Sequence, residues 1–81
     1  MAHRVLFFAQ ARDRAGASER MLDLPAGSHV SDAIAALKAE HPALDPLWPH
    51  LAIAVNGELC TPGALIPADA ELALLPPVSG G

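Results

Sequence analysis

The sequence predicts an α+β domain: a mixed sheet of about five short strands with one main helix packed on one face. Three observations carry that expectation. Short segments rich in strand formers recur at 5–9, 18–24, 51–55, 58–60 and 71–75, with turn residues between most of them. A single stretch from Val30 to Leu44 repeats its apolar residues at spacings of three and four, the period of a helix. The resulting order of strand, strand, helix, strand, strand, strand lies within 81 residues, a length that makes one domain with a small core.

Val5-Leu6-Phe7-Phe8-Ala9 reads as the first strand, with apolar residues on both faces. If Val5 and Phe7 enter the core, Leu6 and Phe8 face outward, and an outward Phe asks for a covering element or a partner. Gln10 to Ala15 holds good helix formers and runs into Gly16, which predicts a helical turn or two stopped by a left-handed cap. Ser18 to Leu24 partly alternates and forms the second strand, closed by Pro25-Ala26-Gly27, so the first two strands make a loose hairpin. Ser31 precedes Asp32 and the run Ala33-Ile34-Ala35-Ala36-Leu37-Lys38. The hydroxyl is expected to cap the main helix and the carboxylate to sit at the positive end of its dipole. Val30, Ile34, Leu37, His41 and Leu44 form the stripe expected to face the sheet, and Pro42 ends the helix near His41. Leu44 to Pro49 is too rich in proline for a regular element, so Leu47 and Trp48 are expected to pin an irregular loop over the core edge.

Leu51 to Val55 is a third strand, turned by Asn56-Gly57, two residues that tolerate positive φ, into a short fourth strand at Glu58-Leu59-Cys60. Thr61 to Ala70 is a turn-rich crossing with Leu65 and Ile66 as its expected core anchors. Glu71 to Leu75 is the last strand, with Leu72 and Leu74 inward and Leu75 outward. Pro76 and Pro77 fix φ and remove two backbone donors, so the ladder cannot pass them. Residues 1–75 therefore make the domain, and 76–81, Pro-Pro-Val-Ser-Gly-Gly, make an extended, flexible C-terminal tail.

Nine acidic against five basic side chains give a net charge of −4, which disfavours nucleic acid as a partner because phosphate binding is driven by clustered cations. Arg4, Arg12, Arg14 and Arg20 are nevertheless gathered in the first quarter, a polarity that favours an oriented contact with another protein. No apolar run approaches a membrane span, and the N-terminal segment breaks too early for a signal peptide. The single cysteine, Cys60, excludes an intramolecular disulfide and a multi-cysteine zinc site, and fits a reducing, cytoplasmic setting.

Few groups remain for chemistry. Cys60 has His50 and Asp69 near it in sequence, but a lone cysteine in a short apolar strand is most often a small buried hydrophobe. His3, His29, His41 and His50 are scattered without metal-ligand spacing, so no metal is assigned. Arg12 and Arg14 point in different directions on one helical turn, which leaves one of them for an acidic partner. The other candidate is the terminal carboxylate of Gly81. It is ionised at neutral pH and resists nucleophilic attack until one oxygen becomes a leaving group, as adenylation by ATP would make it. A terminus without side chains suits a narrow channel leading to a reactive centre.

Three stretches, Val5-Leu6-Phe7-Phe8-Ala9-Gln10-Ala11-Arg12, Ala54-Val55-Asn56-Gly57 and Pro76-Pro77-Val78-Ser79-Gly80-Gly81, resemble the small subunits of molybdopterin synthase, which are ubiquitin-like β-grasp sulfur carriers. The sequence departs from that pattern at Pro67-Ala68-Asp69-Ala70, where Gly-Asp-Glu is common, and at Leu74-Leu75, where aromatics are frequent. The resemblance implies that the first and last strands lie side by side in the sheet centre. It implies that Gly81 is adenylated by a ubiquitin-activating-like adenylyltransferase using ATP with Mg, then converted to a thiocarboxylate with sulfur from a persulfide enzyme. The tail would enter the large synthase subunit, in a heterotetramer of two small and two large chains, and donate sulfur to cyclic pyranopterin monophosphate. Catalytic side chains would come from the large subunit, and no cofactor would be held permanently. By position, Phe8, Arg12, Leu59 and Leu75 match the family's interface, with Pro76, Pro77, Val78, Ser79 and Gly80 gripped by the partner. Sulfur supply for the thiazole of thiamine, a modifier joined to lysines through Gly81, and a plain binding module remain as alternatives.

Overall fold

The computed structural model describes residues 2–75. Its elements are β1 (Ala2–Phe7), α1 (Ala9–Ala15), β2 (Glu19–Asp23), α2 (Val30–Glu40), a 3₁₀ segment (Pro42–His50), β3 (Ala52–Val55), β4 (Glu58–Cys60) and β5 (Leu72–Leu75). The strands form one sheet in the order β2-β1-β5-β3-β4, so the first and last strands are adjacent at its centre. They run parallel, with Val5 opposite Leu72 and Phe7 opposite Leu74, while the other pairings are antiparallel. A parallel pair cannot be joined by a tight hairpin, and all the elements from α1 to β4 lie between β1 and β5, with α2 and the 3₁₀ segment carrying the chain from β2 to β3. The architecture is the α+β arrangement expected, with first and last strands side by side in the sheet centre as the β-grasp resemblance implies.

Strict alternation decides which side of the sheet is dry. Val5, Phe7, Leu72, Leu74, Ile53 and Val55 are buried on one face, against Val30, Ala33 and Leu37 of α2 and Leu44 of the 3₁₀ segment. Each such aliphatic side chain contributes about 1.5–3 kcal/mol on burial, and these contacts outweigh the weak intrinsic preferences of four-residue strands.

Several expectations need correction in detail. The first strand ends at Phe7, because Phe8 is the residue before α1 and Ala9 opens the helix with φ 51. An alanine in that left-handed region is disfavoured by about 1 kcal/mol, a strain held at the corner where the chain turns off the sheet. The helix α2 starts one residue before Ser31. Its cap is His29, whose backbone N–H donates to the Asp32 carboxylate at 2.8 Å, so Asp32 closes a capping box in addition to sitting at the positive end of the dipole. The buried stripe is Val30, Ala33 and Leu37, with Ile34 only half-buried, because α2 is rotated slightly from the face expected. Residues 42–50 are regular 3₁₀ helix instead of an irregular loop: Pro42 begins it, where a missing N–H goes unnoticed, and tight turns tolerate Pro46 and Pro49. Leu47 is buried there and Trp48 half-buried, as the pinning role requires. Ile66 anchors the 61–70 crossing, but Leu65 is 62% exposed: its backbone bridges to His29, and alternation then turns its side chain away from the core that Ile66 enters.

The turns behave as their residues allow. Asn56 and Gly57 take φ 51 and 84, closing the β3–β4 hairpin, and Gly16 caps α1 with φ 76. Asp69 adopts φ 58 in the turn where glycine is common among the resembling sequences, a conformation that aspartate tolerates better than most.

His3, buried on β1, donates from Nδ1 to the carbonyl of Ala70 at 2.9 Å and ties the start of the chain to the approach to β5. His3→Leu keeps the bulk and removes the donor, leaving a buried carbonyl without its partner. A loss of about 1–3 kcal/mol in urea unfolding is expected, with the slope of the transition unchanged.

Candidate functional site

The face of the sheet turned away from α2 carries an apolar floor. Pairing places Leu6 opposite Ala73, Ala73 opposite Ala54, and Ala54 opposite Leu59, a row across β1, β5, β3 and β4. In the next row Ala52 faces Leu75, and continuing the β1–β5 register by one residue brings Phe8 level with Leu75. Three alanines, Ala52, Ala54 and Ala73, thus lie among the larger side chains of Phe8, Leu75, Leu6 and Leu59. Phe8 is 43% and Leu59 64% exposed, whereas Leu6, Ala52, Ala73 and Leu75 are half-buried. A patch of this kind on a small domain marks a contact surface, because large apolar side chains gain nothing from water.

The surroundings of the floor are charged. Arg4 reaches Glu19 at 3.6 Å and Glu71 at 3.8 Å along one border, surface pairs that orient more than they stabilise. Arg12 is exposed on α1, one helical turn after Phe8, and among the described residues it has no carboxylate partner. The structure thus brings Phe8, Leu59 and Leu75 to one side of the sheet, while Arg12 stands on α1, beyond the end of β1. Sequence reasoning placed Leu6, Phe8 and Leu75 outward but passed over Ala52, Ala54 and Ala73, although the period-two pattern of β3 and β5 carried the signal. Pro76, Pro77, Val78, Ser79, Gly80 and Gly81 lie outside the described residues, as does the boundary assigned at 75/76. What is described is that β5 ends with Leu75 in this face.

The remaining candidates are dispersed. Cys60 faces the core side of β4 opposite Ile53, and its Sγ–H donates to the Glu58 carbonyl at 3.3 Å. Asp69 precedes β5 while Cys60 lies level with the end of that strand, through Ile53 and Leu74, so the two are not brought together. His50 is exposed at the end of the 3₁₀ segment, and His41 packs edge-on against Phe7, ring centres 5.5 Å apart. Among the described residues no three His, Cys, Asp or Glu side chains gather as metal ligands, and no helix is long and apolar enough to cross a membrane.

The family model described as ThiS family matches residues 5–81, nearly the whole chain. The chain belongs to the ThiS family. Among the relatives of this ThiS-family chain, the molybdopterin synthase sulfur carrier subunit of Chlamydomonas reinhardtii is 40% identical over 84 residues and covers all of both chains. Small archaeal modifier protein 1 of Haloferax volcanii is 38% identical, over 91% of this chain and 94% of its own. The crystal structure of SAMP1 from Haloferax volcanii superposes with a TM-score of 0.86 at 35% identity, covering all of both chains.

Proposed function

We propose that this chain is the sulfur-carrier subunit of a molybdopterin synthase. The observation that carries the proposal is the apolar face of Leu6, Phe8, Leu59 and Leu75, which ends at the strand from which the Gly-Gly tail departs, in a chain similar along its full length to such a carrier. The face is the docking surface for a large subunit, Arg12 meets an acidic group on it, and Pro76-Pro77-Val78-Ser79-Gly80 threads the partner's cleft. Pro76 to Gly81 spans roughly 20 Å when extended, at about 3.3 Å per residue.

The chemistry centres on Gly81. An oxygen of its carboxylate attacks the α-phosphorus of ATP, with Mg, on an adenylyltransferase; pyrophosphate leaves and a mixed anhydride forms. The terminal sulfur of an enzyme persulfide attacks the acyl carbon and expels AMP. A thiol then takes the inner sulfur as a disulfide, leaving the thiocarboxylate. In the synthase that sulfur passes to cyclic pyranopterin monophosphate and water restores the carboxylate, and two such rounds build the dithiolene. Catalytic side chains are those of the large subunit, this chain keeps no cofactor of its own, and the reaction is cytoplasmic. Incubation with the cognate activating enzyme, ATP and a persulfide source should add the mass of one oxygen-to-sulfur exchange, located at Gly81 by fragmentation. An unchanged mass with an activating enzyme proven on another carrier would refute the reading.

The likeness to small archaeal modifier protein 1 favours one second reading. In it, the Nζ of a lysine on another protein attacks the same acyl-adenylate, AMP leaves, and an isopeptide bond joins the two chains. Higher-mass adducts in cells that vanish when Gly81 is removed would support conjugation.

A further inference from the structure

The described sheet ends in two edge strands, β2 and β4, which differ in what guards them. On β2 the exposed residues include Glu19, Arg20 and Asp23, and Arg20 reaches the Glu40 carboxylate of α2 at 2.7 Å, so charge lines that edge. On β4 the one charge is Glu58, at the turn. The two-residue turn Asn56-Gly57 makes Val55 and Glu58 a hydrogen-bonded pair, and Asn56 donates its own N–H to the Glu71 carbonyl on the β5 side. Bonding alternates along an antiparallel ladder, so Ala54 and Leu59 are a non-bonded pair. Leu59 therefore turns its backbone N–H and C=O away from β3, to the open edge, and the residue is 64% exposed. A groove lies beside this edge, lined by Ile34 of α2, Trp48 of the 3₁₀ segment and Cys60. Ala52 and Leu59 of the apolar face line it too, so face and groove meet at β3 and β4.

We infer that an extended apolar segment of the large subunit adds to β4 as a further strand, bonded to both backbone groups of Leu59. The inference rests on the reading of the apolar face as the surface that meets that subunit. A partner that covers the Leu59 side chain also strips water from the N–H and C=O beside it, and buried backbone groups are costly unless they are bonded. Strand addition supplies both bonds at once. It also fits the continuity of face and groove, because successive side chains of an added strand point to opposite sides of the sheet. One lies against Leu59 on the apolar face, and the next reaches over the edge towards Trp48 and Ile34 in the groove. β4 is only three residues long, so the two bonds to Leu59 set the register and the groove sets selectivity. The matching segment carries β-branched or aromatic side chains and no proline at the position that pairs with Leu59.

Hydrogen exchange reads the pairing without any substitution. In the ¹⁵N-labelled full chain the Leu59 amide is expected to exchange about tenfold or more slowly once the cognate large subunit is bound, and the single Trp48 indole resonance to shift. Leu59→Ala and Leu59→Pro then separate side chain from backbone. Both shorten the leucine, but only proline removes the edge donor, so the proline variant should bind about tenfold more weakly than the alanine variant. Urea unfolding checks that each variant is folded, and if proline unfolds the chain the exchange result decides alone. A complex in which Leu59 exchanges as it does in the free chain overturns the strand addition and leaves the proposed function standing. An indole left unmoved overturns the contact in the groove. No complex at all overturns the function and this inference with it. Protection already present in the free chain and lost on dilution assigns the edge to a second copy, and overturns the inference as well.

Discussion

Removal of Gly80 and Gly81 is expected to reduce sulfur donation to background while leaving the melting temperature unchanged. The two effects separate because the buried side chains among the described residues lie between His3 and Leu74. The truncated chain ends in Ser79, so its carboxylate still exists and adenylation remains chemically possible. What is lost is reach, about 7 Å at 3.3 Å per residue, and the side-chain-free backbone that a narrow channel accepts. A terminus held several ångströms short of the reacting atoms forfeits the advantage of proximity, worth up to about 7–11 kcal/mol in well-oriented reactions. Dithiolene formation in the reconstituted synthase is the measurement, with thermal unfolding as the control. Full donation by the truncated chain would place the sulfur chemistry elsewhere, and a lowered melting temperature would show that the tail supports the fold.

The sheet was legible because its evidence is local. Strands of period two, one helical stripe and the Asn56-Gly57 turn each declare themselves over a few residues, and burial at Val5, Phe7, Leu72 and Leu74 follows the alternation. The misses arose where a tertiary neighbour decided between two locally acceptable states. His29 became the cap in place of Ser31 because the bridge to Leu65 fixes the chain at His29, and the same bridge turns Leu65 outward. The 3₁₀ segment was hidden because its prolines oppose an α-helix, and only contact with α1 and α2 shows that a tighter helix is formed instead. The apolar face of the sheet was half legible. Phe8 and Leu75 were visible as apolar residues on the wrong side of an alternation, whereas the alanines matter only once β3 and β5 set them side by side.

The adjacent phenylalanines give the second large effect, because one peptide unit separates a core residue from a surface one. Phe7 is 2% exposed, lies level with Leu74 and packs on His41. Phe7→Ala removes most of the largest buried side chain and leaves a cavity, a loss of about 3–5 kcal/mol. A domain of 81 residues has about 4–12 kcal/mol in all, at 0.05–0.15 kcal/mol per residue, so the variant is left at the edge of unfolding. Phe8→Asp, one residue on, changes an exposed position outside the hydrogen-bonded ladder and should alter stability by about 0.5 kcal/mol or less. Its effect falls on association. A buried aromatic anchor at an interface is typically worth about 2 kcal/mol or more, which corresponds to at least roughly 30-fold weaker binding to the cognate large subunit. Urea unfolding and titration calorimetry on both variants read the two effects separately. Equal affinities for wild type and Phe8→Asp would move the interface off this face, and an unimpaired Phe7→Ala would contradict the packing of the core.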